Sequence, residues 1–224
     1  MNTKHFKTIM LSALSIIFFV ISGCFPKTNT NTITPYYTVS DDFANYCWFE
    51  TGSYWVFQND STLLSDTIKI IDVLDSKRFH NQGEAFNYQA IELYTNVNTF
   101  NITKHEITAG TYDANLDKMN SLLRIYKNDG TYHLAFLPQY PMGEEINLGD
   151  QIGTYTNIEI IDIFNLNNLT YNAVYHTRVK VSINNTVEYN YWIAKNHGLI
   201  KATIKIDDQT SSISSKSDHL IGKD

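Results

Sequence analysis

Cysteine is nearly missing from this chain. Cys24 and Cys47 are the only two in 224 residues, so the fold must be carried by an apolar core and not by a disulfide framework. Positive charge is also short: 17 Lys and Arg stand against 23 Asp and Glu, a net charge of −6, and no basic cluster occurs. Without such a cluster there is no electrostatic footprint for a phosphate backbone, which excludes nucleic acid as a partner. The longest apolar run, Ile9 to Ile21, falls short of the roughly 20 residues a membrane-spanning helix needs. Catalytic motifs are missing too. No GxSxG elbow, phosphate-cradling glycine loop or SxxK pair is present, so the motif-bearing hydrolase and transferase classes find no support. The seven histidines are scattered singly, without the close His or Cys spacings of zinc sites, so no metal and no cofactor is expected.

The first 24 residues carry the clearest signal. Lys4 and Lys7 precede the apolar run, and Ser22, Gly23 and Cys24 follow it. A basic start, an apolar segment of about a dozen residues and a small-residue exit form an export signal. Ile21, Ser22, Gly23 and Cys24 resemble the lipobox of bacterial lipoprotein signal peptides, in which the chain is cut before the cysteine and the new N-terminus is lipidated. The resemblance implies that residues 1–23 are removed, that Cys24 is the lipidation site, and that the membrane is a partner through a lipid anchor. Several acyl chains give a lasting attachment, at about 0.8 kcal/mol per buried methylene. Loss of residues 1–23 removes two lysines and no acid, leaving 15 basic and 23 acidic side chains and a net charge of −8. Cys47 is then the one remaining thiol. Between Tyr46 and Trp48 it reads as a small buried hydrophobe and not as a nucleophile.

Beyond the anchor, residues 24–44 are rich in Thr and Asn, with Pro26 and Pro35, the composition of a flexible tether. A β domain is expected over 45–208 and a polar tail over 209–224, because the serine-rich stretch Gln209 to Ser217 has little to bury.

Within the domain the apolar period is two. Ala173, Tyr175, Thr177, Val179, Val181 and Ile183 alternate with His176, Arg178, Lys180 and Ser182, as a half-buried strand requires and a helix cannot produce. Val187 to Ile193 and Ile200 to Ile206 repeat the pattern. Residues paired across a hairpin share a face, so parity fixes the turns. Ile183 opposite Val187 implies a loop of Asn184, Asn185 and Thr186; Ile193 opposite Ile200 implies Lys195 to Gly198; Tyr126 opposite Tyr132, with Leu122 opposite Phe136, implies Asn128 to Gly130. Further strands are expected at Tyr54–Asn59, Thr67–Leu74, Phe86–Thr95, Asn98–Ile107 and Asn157–Phe164. Helix is suggested only at Asp41–Phe49 and Asp113–Leu122. Leu137 to Gly153, with Pro138, Pro141, Gly143 and Gly149, breaks the series as a long loop. The fold class is all-β: an antiparallel meander of about ten strands, forming a curved open sheet or a barrel.

Candidate chemistry is thin. Glu144 and Glu145 are adjacent and point opposite ways in extended chain, which suits a solvated loop better than shared acid–base work. His105 and Glu106 likewise diverge on a strand. Fifteen tyrosines, with Trp48, Trp55 and Trp192, serve either a β core or a binding surface. Trp192 falls on the nominally outward face of its strand, where it lines a concave side, packs under a loop or joins an interface.

Two segments bracket the domain: Gly52, Tyr54, Trp55, Val56 and Phe57, and Tyr191, Trp192, Ala194, Lys195, Gly198, Leu199, Ile200 and Lys201. They resemble the GxYWVY-type and YWxAKxxGLIK-type signatures of an uncharacterised Bacteroidota lipoprotein family. The resemblance implies a curved antiparallel sheet or barrel similar to periplasmic lipid-carrier folds, and it carries over no catalytic residue. Surface-exported lipoproteins of that phylum bear acidic residues directly after the lipidated cysteine. Phe25, Pro26, Lys27 and Thr28 have none, which implies the outer membrane with the domain facing the periplasm. The expected function is non-enzymatic: binding of an apolar or amphiphilic ligand on the concave sheet face. The alternative is an interaction subunit docking an envelope protein or glycan through an aromatic-rich surface.

Overall fold

A computed structural model describes residues 34–80, 85–113, 118–148, 153–182 and 186–222. The expected signal segment, Cys24 and the tip residues Asn184 and Asn185 lie outside these described residues. Among the described residues one short helix, α1 (Asp41–Cys47), accompanies thirteen strands. These are β1 (Tyr36–Tyr37), β2 (Tyr54–Asn59), β3 (Ser65–His80), β4 (Phe86–Thr95), β5 (Ile102–Asp113), β6 (Lys118–Lys127) and β7 (Tyr132–Phe136). There follow β8 (Ile146–Asn147), β9 (Thr154–Leu166), β10 (Leu169–Ser182), β11 (Thr186–Ala194), β12 (Gly198–Ile206) and β13 (Gln209–His219).

All strands belong to one open sheet in the order β7-β6-β5-β4-β3-β2-β13-β12-β11-β10-β9-β8, with β1 parallel to β4. Neighbours along that order are antiparallel. The sheet is therefore a meander whose first and last long strands, β2 and β13, meet in its middle, while the mid-chain strands β7 and β8 form its two ends. The sheet does not close into a barrel, but it curls. Thr177 of β10 donates to the Ala135 carbonyl of β7 (2.7 Å), which brings one end of the order across to the other side.

The helix forms where the sequence suggested it. The Ser40 hydroxyl caps α1 by accepting from Phe43 N–H, and Asp41 and Asp42 occupy the first turn, where carboxylates favour the helix dipole. Its buried face, Phe43, Ala44 and Cys47, lies in the curve of the sheet: the Phe43 ring stacks on Phe136 of β7 at 5.2 Å, and Tyr46 meets Tyr175 of β10 at 5.4 Å. Around it the inward side chains Trp55, Phe57, Ile68, Ile70, Leu93 and Ile193 build the main core. The end of the expected tether is thus part of the fold, since Val39 and Phe43 are buried.

Several expectations are corrected. The expected polar tail is strand β13, hydrogen-bonded between β2 and β12. Composition misleads there because serine is small enough for a crowded strand: Ser214 and Ser215 are buried, Ile213 packs on the core, and the hydroxyls of Ser212 and Ser214 donate to Asp60 Oδ2. The helix suggested at Asp113–Leu122 is strand from Lys118 onward, because a ladder to β5 outweighs a weak local preference. Leu137 to Gly153 is not all loop, since Ile146 and Asn147 pair with β9.

Bulges explain two of the three register errors. Tyr126 does face Tyr132, but a bulge then sets Phe136 against Leu123 and not Leu122. Val187 faces Val181 two residues from the expected Ile183, so the faces hold while the loop moves. Ile193 pairs with Leu199, and Trp192 with Lys201, leaving Ile200 as the extra residue. One inserted residue turns that side chain to the other face. Ile193 and Leu199 join the main core, whereas Ile200 joins a separate cluster with Tyr171, Val174 and Ala194.

Candidate functional site

The space expected to hold a ligand, under the concave face, is occupied by α1 and its aromatic contacts. Cys47 sits there at 3 % exposure, its thiol donating to the Phe43 carbonyl, and burial pushes its pKa up. A thiol so held is a packing group.

The two segments that suggested a family resemblance meet in space. Trp55 Nε1 donates to the His197 carbonyl (2.6 Å) and the Trp55 ring stands edge-on to Phe49. Gly198, at φ +70°, leaves no room for a side chain, because a Cβ there would lie 2.9 Å from the Phe49 ring and 3.2 Å from Trp55. Their residue types follow from packing a tryptophan under a tight turn. Trp192 is on the outer face, stacked on His176 at 4.3 Å with Lys201 Nζ 4.9 Å from its ring.

His105 and Glu106 diverge as the strand period requires. His105 is buried inward, and desolvation lowers its pKa to about 4. Glu106 faces outward into an ion-pair lattice: Arg78 at 2.8 Å, Arg124 at 3.1 Å and the Tyr126 hydroxyl at 3.0 Å. Burial opposes its ionisation, but the hydrogen bonds from Arg78 and Tyr126 and the Arg124 charge outweigh it and hold the carboxyl below its usual range. Glu92 beside it is paired with Arg78 (2.9 Å) and Lys104. Burial and the neighbouring Glu106 charge push Tyr126 up to about 12. Glu144 and Glu145 are exposed on their loop, and Glu145 is shared by Arg178 and Lys180. Among the described residues no group of three or more His, Cys, Asp or Glu side chains could hold a metal ion.

The most developed site lies where the sheet fails to close. Between the end of β7 and the inner faces of β9 and β10, side chains replace ladder bonds. Tyr155 Oη accepts from Leu137 N–H (2.9 Å) and donates to Asn157 Oδ1 (2.6 Å). Asn157 Nδ2 in turn donates to the carbonyls of Leu137 and Tyr140, both at 2.9 Å. Tyr155, Asn157 and Thr177 are each fully buried, so every bond is made in a low-dielectric place where leaving a group unpaired is costly. Above this clasp the two sides of the seam separate and leave a cleft of about 330 Å³. Its walls are Leu134 of β7 and Val179, Val181, Val187 and Tyr189 of the β10–β11 hairpin, with the His133 ring tilted against Tyr189 at 4.1 Å between centroids. Desolvation, aided by the Lys127 charge, lowers His133 to about 4, so its ring is neutral at physiological pH and its buried Nε2 has no hydrogen-bond partner. Apolar walls with one neutral imidazole suit contact with an apolar group.

Sequence reasoning placed Val179 and Val181 on an inward face but missed the clasp. A single asparagine at an inward position of β9 was the available signal. Comparison with protein-family models, curated proteins and solved structures finds no match to this chain.

Proposed function

We propose that this protein is a lipid-anchored binding protein of the cell envelope, attached through Cys24 to the outer membrane facing the periplasm, that holds an apolar or amphiphilic ligand in the seam cleft. The observation that carries the reading is the cleft of about 330 Å³ walled by Leu134, Val179, Val181 and Val187, a size and lining within the range of small-molecule sites. The lipobox at Ile21 to Cys24 supports the anchor, and the absence of acidic residues directly after it supports the periplasmic side. An apolar chain would lie along the valines, with a polar end near His133 and Tyr132 at the rim.

Mass spectrometry of small molecules co-purifying with the full chain tests the ligand. Wild type should carry an amphiphile that Val181→Asp loses while keeping its circular dichroism spectrum; equal content in both proteins would remove the cleft from the reading. Cys24→Ser tests the anchor separately, and should leave the precursor uncleaved and unlabelled by a palmitate analogue.

A second reading, docking of an envelope protein or glycan, draws on the outer face of β4 to β7. Tyr94 and Tyr132 are 36 % and 40 % exposed there, with Lys104 over Tyr94 and Arg124 over Tyr132. Tyr94→Ala with Lys104→Ala should then abolish capture of the partner and leave ligand content unchanged.

A further inference from the structure

Strand β3 is the longest in the sheet, with 16 residues, and it is paired on both sides over only part of its length. Residues Ser65 to Lys69 pair with β2, and Ile70 closes that ladder through Ser53 and Gly52. From Asp72 onward β3 runs beside β4 alone. Its other edge, from Asp72 to Phe79, has no strand partner among the described residues. Such edges are association sites unless they are short or blunted by charge. This one is long. Phe79 is 60 % and Leu74 47 % exposed, and its exposed charges, Asp72, Asp75 and Lys77, are of both signs.

A second copy of the chain is the occupant this edge fits. A two-fold axis between antiparallel strands must pass through a residue pair, because successive pairs alternate between hydrogen-bonded and non-hydrogen-bonded geometry and symmetry-related pairs must be of one kind. Only registers centred on a residue are open. Centring on Asp75 sets Asp75 against itself, and centring on Lys77 sets lysine against lysine. Centring on Leu74 sets Val73 against a carboxylate. Centring on Ser76 instead pairs Asp75 with Lys77 twice and Val73 with Phe79 twice, on the face that carries Val73 toward the core. On the other face Leu74 lies along the stem of Arg78, which is anchored by Glu92 and Glu106. No like charges meet in that register, and opposed ions and apolar pairs are the units that stabilise a ladder.

We propose that the protein forms a symmetric dimer in which the β3 edges of two copies pair antiparallel about Ser76, joining the two sheets into one. The edge is remote in sequence from the seam cleft, so this dimer stands or falls independently of ligand binding.

The test uses the full chain in detergent, followed by sedimentation equilibrium and thiol cross-linking. Wild type should be a concentration-dependent dimer. In a Cys24→Ser background, Ser76→Cys, on the axis, should be joined to its symmetry mate by a short bifunctional thiol reagent, whereas Val97→Cys, at 99 % exposure and off the edge, should not; the buried Cys47 contributes no background. Asp75→Lys and Lys77→Asp should each raise the dimer dissociation constant by about tenfold or more, and the double exchange should restore it to within about twofold, as complementary charge pairing requires. A wild type that remains monomeric overturns the proposal. So does a double exchange no better than the single ones, or cross-linking of Val97→Cys as fast as that of Ser76→Cys.

Discussion

Single side chains in this protein divide by face, and the division controls how each responds to change. His105 and His133 are held neutral, with pKa values lowered to about 4. Since the unfolded value is about 6.5, each contributes stability that is full above pH 6.5 and lost as pH falls toward 4. For the fully buried His105 the loss is on the order of 3 kcal/mol. Urea unfolding of His105→Leu should therefore show a flatter decline between pH 6.5 and 4 than wild type, and parallel declines would mean that His105 is hydrated. Trp55 acts through a bond as well as through area: Trp55→Phe leaves the His197 carbonyl without its donor and should lower stability by about 2 kcal/mol. Ile193 and Ile200 are both fully buried, but in different clusters on opposite faces. Their alanine variants should each cost about 2–4 kcal/mol, and the double variant should cost close to the sum, since the two belong to separate clusters. Strong non-additivity in denaturant midpoints would place them in one core, as hairpin parity alone implied.

Among the elements, the seam between β7 and β9–β10 depends on side chains where a ladder would otherwise run. Tyr155→Phe keeps the ring and removes one oxygen, stranding Leu137 N–H and Asn157 Oδ1 at buried positions. Each stranded group costs about 1–3 kcal/mol, so the variant should lose several kcal/mol and show faster hydrogen exchange at Leu137 than at β2 or β3. Unchanged protection at Leu137 would mean that the β7 end is held by packing alone. The strands themselves were legible where the apolar period was clean. Tyr54–Asn59 and Phe86–Thr95 match β2 and β4 residue for residue, because alternation and turn residues act locally. The bulges at Ala135 and Ile200 were not legible, since a register shift is decided by which neighbour a strand meets and not by its own residue types.

For the whole molecule, the C-terminal strand is the keystone. β13 joins the half of the sheet built from β2 to β7 to the half built from β8 to β12, and the chain beyond it is tied down where Glu50 N–H donates to the Ile221 carbonyl (2.8 Å). Truncation after Asp208 should leave two sheets with raw central edges and an unfolded or aggregated product by circular dichroism and light scattering, whereas removal of a loose tail would leave the spectrum intact. The sequence by itself determined that the chain is all-β, that its strands follow one another antiparallel, that Cys47 is a core residue and that His105 and Glu106 face opposite ways. The strand readings follow from a two-residue period, a short-range property readable one strand at a time, and the Cys47 reading from its aromatic neighbours Tyr46 and Trp48. Only the tertiary structure decided that β2 pairs with β13, that α1 fills the curve where a ligand was expected, and that the open seam lies between β7 and β10. Those outcomes depend on contacts between residues well separated in the chain, as Ala135 and Thr177 are by 42 positions and Asp60 and Ser214 by 154, and a serine-rich strand becomes a central one only when two neighbours supply the ladder and the burial that its own composition lacks.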